Sequence, residues 1–216
     1  MPTRLVVFDL DGTLVDSAPA TVELLNQLRT ELGFEHLPYD VFIPWLSLGG
    51  LQLLSNSLEL KSNKEALVYL NEFRIRAKEL PSGKMPTFEE VDLLLKSLYN
   101  CNIKLAICTN KARGLVEKLL EELKIKSYFD LIVAGDDLST SKPDPAMLLE
   151  CCNKLGVEIS DTLFVGDSTV DQKTASNAGI RFAFFQKGYN DGVDESTTAI
   201  NFNRHLDLSD KIFRHE

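Results

Sequence analysis

The sequence is poor in positive charge, in tryptophan, in histidine and in long apolar runs, and each shortage removes a class of explanation. Lysine and arginine number 23 against 32 aspartates and glutamates, for a formal net charge of −9. A surface of that sign repels nucleic acid and anionic lipid, so neither is expected as a partner. An anionic substrate would need local positive help from a metal, a lysine or backbone N–H groups. No apolar stretch approaches the roughly 18 residues that suggest a membrane span, so no membrane association is expected. Met1-Pro2-Thr3-Arg4 runs into a strand-length segment containing acids rather than into a leader. The expectation is a cytoplasmic chain, monomeric or homodimeric. Cys101, Cys108, Cys151 and Cys152 lack zinc-like spacing and are expected as buried, reduced thiols. His36, His205 and His215 fall in no motif and read as surface residues. What is present suits a globular protein: 216 residues, 44% hydrophobic and 25% charged, enough for one domain with an insertion or two small domains.

The residue pattern divides the chain in two. Leu5 to Leu10 is a run of strand formers. Ser17-Ala18-Pro19 then opens a helix with apolar positions at Val22, Leu25, Leu28 and Leu32, stopped by Gly33. No strand-like alternation follows until about residue 80. A second helix reads through Ala66, Leu70, Phe73, Ala77 and Leu80, and between the two lies a loop, Pro44 to Gly50, with a short helical pattern after it. Thr87-Phe88-Glu89-Glu90 has the form of a capping box launching a helix through Val91, Leu94, Leu95 and Leu98. Strands are predicted at 103–108, 131–133, 162–165 and 181–185, alternating with helices at 111–123, 145–155 and 171–178. An apolar turn is expected near Ile200 and a weak helix over 206–213. This rhythm predicts an α/β fold: a Rossmann-like, mainly parallel sheet with helices on both faces, plus an all-helical cap inserted after the first strand. The boundaries are 1–15 and 82–216 for the α/β core and 16–81 for the cap.

The chemistry gathers at predicted strand ends. Asp9-Leu10-Asp11-Gly12-Thr13 places two carboxylates two residues apart, on one side of an extended chain and about 6–7 Å from each other. Open α/β sheets bind ligands at that end of their strands. Thr109 and Asn110, with helix N–H groups beyond them, form an anion cradle, although either residue also suits a plain N-cap. Lys142 is the single cation in the loop from Gly135 to Pro145. Gly166-Asp167-Ser168-Thr169-Val170-Asp171 adds two more acids, of which Asp171 would also suit a helix N-terminus. Four acids at close range disfavour mutual ionisation unless a cation joins them. Carboxylates, waters and phosphate oxygens are the ligands of Mg²⁺, which is therefore the expected cofactor.

These residues, in this order, resemble the four motifs of the haloacid dehalogenase-like hydrolase superfamily. Asp9-Leu-Asp11-Gly-Thr13 corresponds to the first motif, Thr109-Asn110 to the second, Lys142 to the third and Gly166-Asp167 through Asp171 to the fourth. The helical insertion directly after the first motif is similar to the phosphoglycolate phosphatase branch. The resemblance implies that Asp9 is the nucleophile and Asp11 the general acid and base. It puts the metal on Asp9, on Asp11 through its backbone carbonyl, and on Asp167, with Asp171 reaching it through water. Thr109, Asn110 and Lys142 would hold the phosphoryl group. It also implies a small phosphomonoester as substrate. The alternatives are a phosphomutase of the β-phosphoglucomutase type and a phosphate-binding protein without catalysis. Asp11 disfavours a dehalogenase, which lacks that acid, and nothing around Lys61 or Lys64 suggests a phosphonatase lysine. In the cap, Trp45, Gly49 and Gly50 are the candidate substrate contacts, Trp45 also being suited to the cap core. No lysine or arginine lies between Thr30 and Leu60, and Arg74, Arg76 and Lys78 are expected on a solvated face.

Overall fold

The computed structural model describes residues 3–214; His215 lies outside them. Six strands form one parallel sheet: β1 (Leu5–Phe8), β2 (Lys104–Cys108), β3 (Leu131–Val133), β4 (Thr162–Gly166), β5 (Arg181–Phe185) and β6 (Ile200–Phe202). Their order is β3-β2-β1-β4-β5-β6, so the chain runs outward from β1 in both directions. β1 is flanked by β2 and β4, with Phe8 opposite Ile107 on one side and Val165 on the other. The order reverses beside β1, where ligand crevices of such sheets open.

Alternation along the strands sorts their side chains onto two faces. Val6, Phe8, Leu105, Ile107, Leu163 and Val165 share one apolar cluster with α5 (Val91–Asn100), α6 (Arg113–Glu122) and α9 (His205–Arg214). Leu5, Val7, Ala106, Cys108 and Phe164 share the other with α7 (Ala146–Leu155) and α8 (Thr169–Ala178). Both faces being covered explains why β1 is apolar at all four positions and fully buried.

Four helices occupy the stretch between β1 and β2 ahead of α5: α1 (Ala18–Glu31), α2 (Tyr39–Leu46), α3 (Gly50–Ser57) and α4 (Asn63–Glu79). They enclose a third cluster, centred on Leu25, Leu28, Phe42, Leu54, Leu70 and Phe73. Each fully buried leucine there contributes about 1.5–3 kcal/mol relative to exposure. The same cluster is tied by a buried charge. Arg29 donates to the carbonyls of Glu35 (2.7 Å) and Ser57 (2.5 Å) and pairs with Glu59 (3.0 Å), which satisfies its guanidinium without water.

Several local expectations are revised. The Pro44–Gly50 loop begins inside a helix, because α2 runs through Pro44 to Leu46. The Thr87–Glu90 capping box does not form. Glu90 is the N-cap of α5 at φ +67° with no side-chain cap. Its carboxylate is drawn instead to Arg204 and to the Leu206 N–H, which donates at 3.3 Å. The Ile200 turn is strand β6, paired in parallel with β5. Cys101 is exposed, since it follows the last turn of α5, whereas the other three cysteines are buried as expected. Among the described residues no helix is long and apolar enough to cross a membrane.

Candidate active site

β1 ends at Phe8, one residue before the first acid. The Asp9 N–H still donates to the Val165 carbonyl at 2.8 Å, which fixes Asp9 over the end of β4. The chain then turns rather than continuing extended: Leu14 and Val15 donate back to the Leu10 carbonyl, each at 2.9 Å. Asp9 and Asp11 both line one cavity but are held by different partners. Asp9 turns into the sheet end, and Asp11 turns toward α1 and the tip of β2. Gly12 makes the turn possible at φ +87°, where a Cβ would overlap the Asp167 carboxylate.

Asp9, Asp167 and Asp171 bring carboxylate oxygens within 4.8 Å of one another. Lys142, with its side chain 2% exposed, donates to Asp9 at 2.8 Å and Asp171 at 2.6 Å. Asp167 accepts from the Thr13 hydroxyl and from the Tyr189 N–H, both at 2.7 Å. Asp171 closes a capping box with Ser168 at the start of α8, accepting from the Ser168 hydroxyl at 2.5 Å. Its helix-terminal and site roles are thus one arrangement.

Burial pushes Asp9 up to about 7, with Lys142 opposing the rise and Asp171 and Asp11 adding to it. Burial, then the charge of Asp171, also raises Asp167 well above the carboxylate range. Burial alone would lower Lys142, but Asp171 and Asp9 outweigh it and hold the ammonium charged. With all three carboxylates ionised, one ammonium would leave two negative charges uncompensated in a buried space. A hard divalent cation with oxygen ligands fits that donor set in charge and in chemistry.

Asp11 stands outside this cluster and, like Asp9, lines the cavity between the sheet end and the α1–α4 helices. Its Oδ1 accepts from the Ser17 hydroxyl and from Lys111 at 2.8 Å. Tyr189 lies 3.1 Å from the Ser17 hydroxyl and lines the same cavity. Thr109, buried at the tip of β2, and Lys142 also line it.

Asn110 lines the same cavity, and its side chain also binds backbone groups. Its amide donates to the carbonyls of Ser47 and Lys142, both at 3.0 Å, and its Oδ1 accepts from the Lys142 N–H at 2.9 Å. It clips the α2–α3 loop to the Lys142 loop.

Gly49, at φ +88°, and Gly50 line the cavity, but Trp45 does not. Its ring packs edge-on against Phe42 at 5.9 Å, within the third cluster. Of Arg74, Arg76 and Lys78 on α4, Arg74 lines the cavity, while Arg76 is occupied by Glu31 and Glu72.

Sequence reasoning assigned no role to Thr13, Ser17, Lys111, Tyr189 and His205. The first three stand within or next to the motifs and were available to a reader asking what holds each acid. His205 is the largest revision: far from being a surface residue it is 1% exposed. It contacts the Thr13 carbonyl at 2.9 Å through Nε2 and the Glu89 carbonyl at 3.1 Å through Nδ1. It packs among Phe88, Phe185 and Phe202. His36, by contrast, is exposed and pairs with Thr30.

An α/β sheet thus gathers buried carboxylates at its strand ends beside one cavity. A sequence profile of the haloacid dehalogenase-like hydrolases matches residues 6–185. The phosphoglycolate phosphatase of Aquifex aeolicus is 35% identical over 186 residues, covering 86% of each chain. That of Psychrobacter arcticus is 32% identical over 202 residues, covering 90% of this chain and 88% of the relative. Among solved structures, a haloacid dehalogenase-superfamily hydrolase of Geobacter sulfurreducens aligns with TM-score 0.73 at 21% identity, covering 97% of this chain and 96% of that one. CbbY of Rhodobacter sphaeroides, solved with phosphate, aligns at 0.79 with 19% identity, covering 95% and 96%; at these identities the likeness is one of fold. The chain belongs to the haloacid dehalogenase-like hydrolase family and is a hydrolase.

Proposed function

We propose that this enzyme is a Mg²⁺-dependent phosphatase that hydrolyses a small phosphate monoester through an aspartyl-phosphate on Asp9, with residues 16–81 serving as a cap over the site. The observation that carries the reading is the division of labour between the two first-motif acids. Asp9 shares the buried cluster with Lys142, while Asp11 is held by Ser17 and Lys111 at the cavity. Relatives bearing the name phosphoglycolate phosphatase support the phosphatase class and make phosphoglycolate a candidate substrate.

In the first half-reaction an Asp9 carboxylate oxygen attacks phosphorus and the bond to the substrate oxygen breaks. Asp11 gives its proton to the departing alkoxide. In the second, Asp11 takes a proton from water as that water attacks phosphorus, and the bond to Asp9 breaks to release phosphate. Lys142 and the Thr109 hydroxyl hold phosphoryl oxygens, and positioning with charge stabilisation does most of the catalytic work. Asp9, Asp167 and Asp171 would hold Mg²⁺, and the family resemblance adds the Asp11 backbone carbonyl. When bound, the ion supplies positive charge against the phosphoryl oxygens.

The test is phosphate release from a panel of sugar, nucleotide and short-acid monophosphates, with Mg²⁺ and after chelation. Release that requires Mg²⁺ and disappears in Asp9→Asn supports the reading. Conversion of a sugar 1-phosphate to its isomer without phosphate release would replace it with a mutase.

A further inference from the structure

His205, the first residue of α9, is buried beside the first motif yet lines no part of the cavity and bonds to none of the three clustered carboxylates. Its ring is fixed by its surroundings. Phe185, Phe202 and Phe88 lie 4.5, 5.8 and 6.3 Å from it, centroid to centroid. The start of α9 is anchored as well, because Arg204 pairs with Glu90 and the Leu206 N–H donates to the same carboxylate at 3.3 Å. Farther along the helix, the Ser209 and Ser97 hydroxyls meet at 3.0 Å and tie α9 to α5. A ring so enclosed cannot swing to follow a partner, so the partner must sit where the ring puts it.

The two ring nitrogens face carbonyls, that of Thr13 at 2.9 Å and that of Glu89 at 3.1 Å. A neutral imidazole has one N–H to give. Thr13 is fully buried and its carbonyl is the nearer of the two, whereas Glu89 is exposed. A buried carbonyl has no water to turn to, so the geometry puts the proton on Nε2. Thr13 carries the bond onward. Its hydroxyl donates to Asp167 Oδ1 at 2.7 Å, and the Tyr189 N–H holds Oδ2 at 2.7 Å. These two donors set the carboxylate of an acid that would hold the metal. The Thr13 donor is only as well placed as the turn beneath it, and residues 12–14 belong to neither a helix nor a strand.

We propose that His205 is a positioning residue for the metal site, acting through Thr13. Its Nε2–H holds the Thr13 carbonyl, the turn thereby holds the Thr13 hydroxyl, and the hydroxyl orients the Asp167 carboxylate for Mg²⁺. The inference rests on the Mg²⁺ site of the reading above. It gives the start of α9 a share in metal affinity without any contact to metal or substrate.

The experiment titrates Mg²⁺ into chelator-treated, full-length protein by calorimetry, with the folding of each variant checked by circular dichroism. Affinity is read on folded protein, so a loss of global stability alone leaves it unmoved. Thr13→Val, which removes the hydroxyl, is expected to raise the Mg²⁺ Kd by about 10- to 100-fold, the usual effect of losing a partner of a metal-binding carboxylate. His205→Leu raises it by about 10-fold and adds less than about twofold in the Thr13→Val background, because the two residues act in series. Two amides separate the ring's nitrogens. Glutamine carries its NH₂ as many bonds from Cβ as Nε2, and asparagine as many as Nδ1. His205→Gln is therefore expected to keep Kd within about threefold of wild type, and His205→Asn to resemble His205→Leu. The Gln and Asn pair decides the question by itself if His205→Leu does not fold. Equal Kd in those two variants, tighter binding by His205→Asn, or full additivity of His205→Leu with Thr13→Val overturns the route through Thr13 and leaves the Mg²⁺ reading standing. Absence of Mg²⁺ binding by the wild type overturns both.

Discussion

The two sides of the cavity hold their polar groups in different ways. On the strand-end side, Lys142, Asp167 and Asp171 are buried and each has at least two hydrogen-bond partners. On the side of helices α1–α4 the lining is mostly apolar, and Arg74 lines it without a side-chain partner among the described residues. A densely connected network keeps atoms where the reaction needs them, and changing one member disturbs the rest. A sparse wall can alter one side chain and so alter which substrate is accepted, leaving the bond-making groups alone. Under the proposed function, chemistry and selectivity fall to different parts of the chain, with Asn110 joining them across the Ser47 carbonyl.

Perturbations should reflect that contrast, beginning with the most severe. Asp9→Asn removes the nucleophile and is expected to lower kcat by ~10⁴-fold or more, with an unchanged circular dichroism spectrum; measurable turnover would break the assignment. Lys142→Met leaves Asp9 and Asp171 facing each other without their cation. It is expected to cost about 3–5 kcal/mol in urea unfolding and about 10²–10³-fold in kcat.

Adding Mg²⁺ to chelator-treated enzyme should relieve the repulsion among the three carboxylates. Binding contributes about 2–3 kcal/mol at a hundredfold excess over Kd, read as a rise in Tm that Asp167→Asn abolishes. An equal Tm with chelator and with Mg²⁺ would count against the site.

His205→Leu removes a ring that faces the buried Thr13 carbonyl and the Glu89 carbonyl; the neutral ring donates to one of them, and losing that bond is expected to cost about 1–3 kcal/mol. Burial holds the imidazole below its usual 6.5, so its contribution is complete above that pH. It is lost as pH falls, because the unfolded chain takes up the proton first. The stability difference between wild type and variant should therefore narrow as pH drops below 6.5 in paired urea titrations. The smallest effect is expected on the cap: Trp45→Phe should change kcat/KM by less than about threefold, because the ring packs on Phe42 away from the cavity.

The reading of sequence against structure follows the same division. Strands ending in Asp9, Thr109 and Asp167 announce themselves because an apolar run stops abruptly at a polar residue, a local signal carried by consecutive positions. The third-motif lysine was legible through its loop of acids. Trp45 and Asn110 were harder, because their roles depend on which neighbour they meet across the fold. Asn110 finds backbone carbonyls at Ser47 and Lys142, and no spacing rule encodes that meeting. His205 carried no signal at all. Its burial follows from α9 packing beside α5 with Phe185 and Phe202 around the ring, and its partners, Thr13 and Glu89, are both remote in the chain. The failed capping box at Thr87 has the same origin, since Arg204 and the Leu206 N–H outcompete the local N-terminus for Glu90.

The bond between His205 and the Thr13 carbonyl joins residues 192 apart. Translation proceeds from the N-terminus at about 5–20 residues per second, so Asp9 is made long before the helix that braces its turn. A nascent chain that has released every strand through β5 still lacks α9 and the imidazole beneath the first motif. The first-motif turn therefore acquires its brace late in synthesis, and a ribosome stalled before residue 205 would display Asp9 without that support.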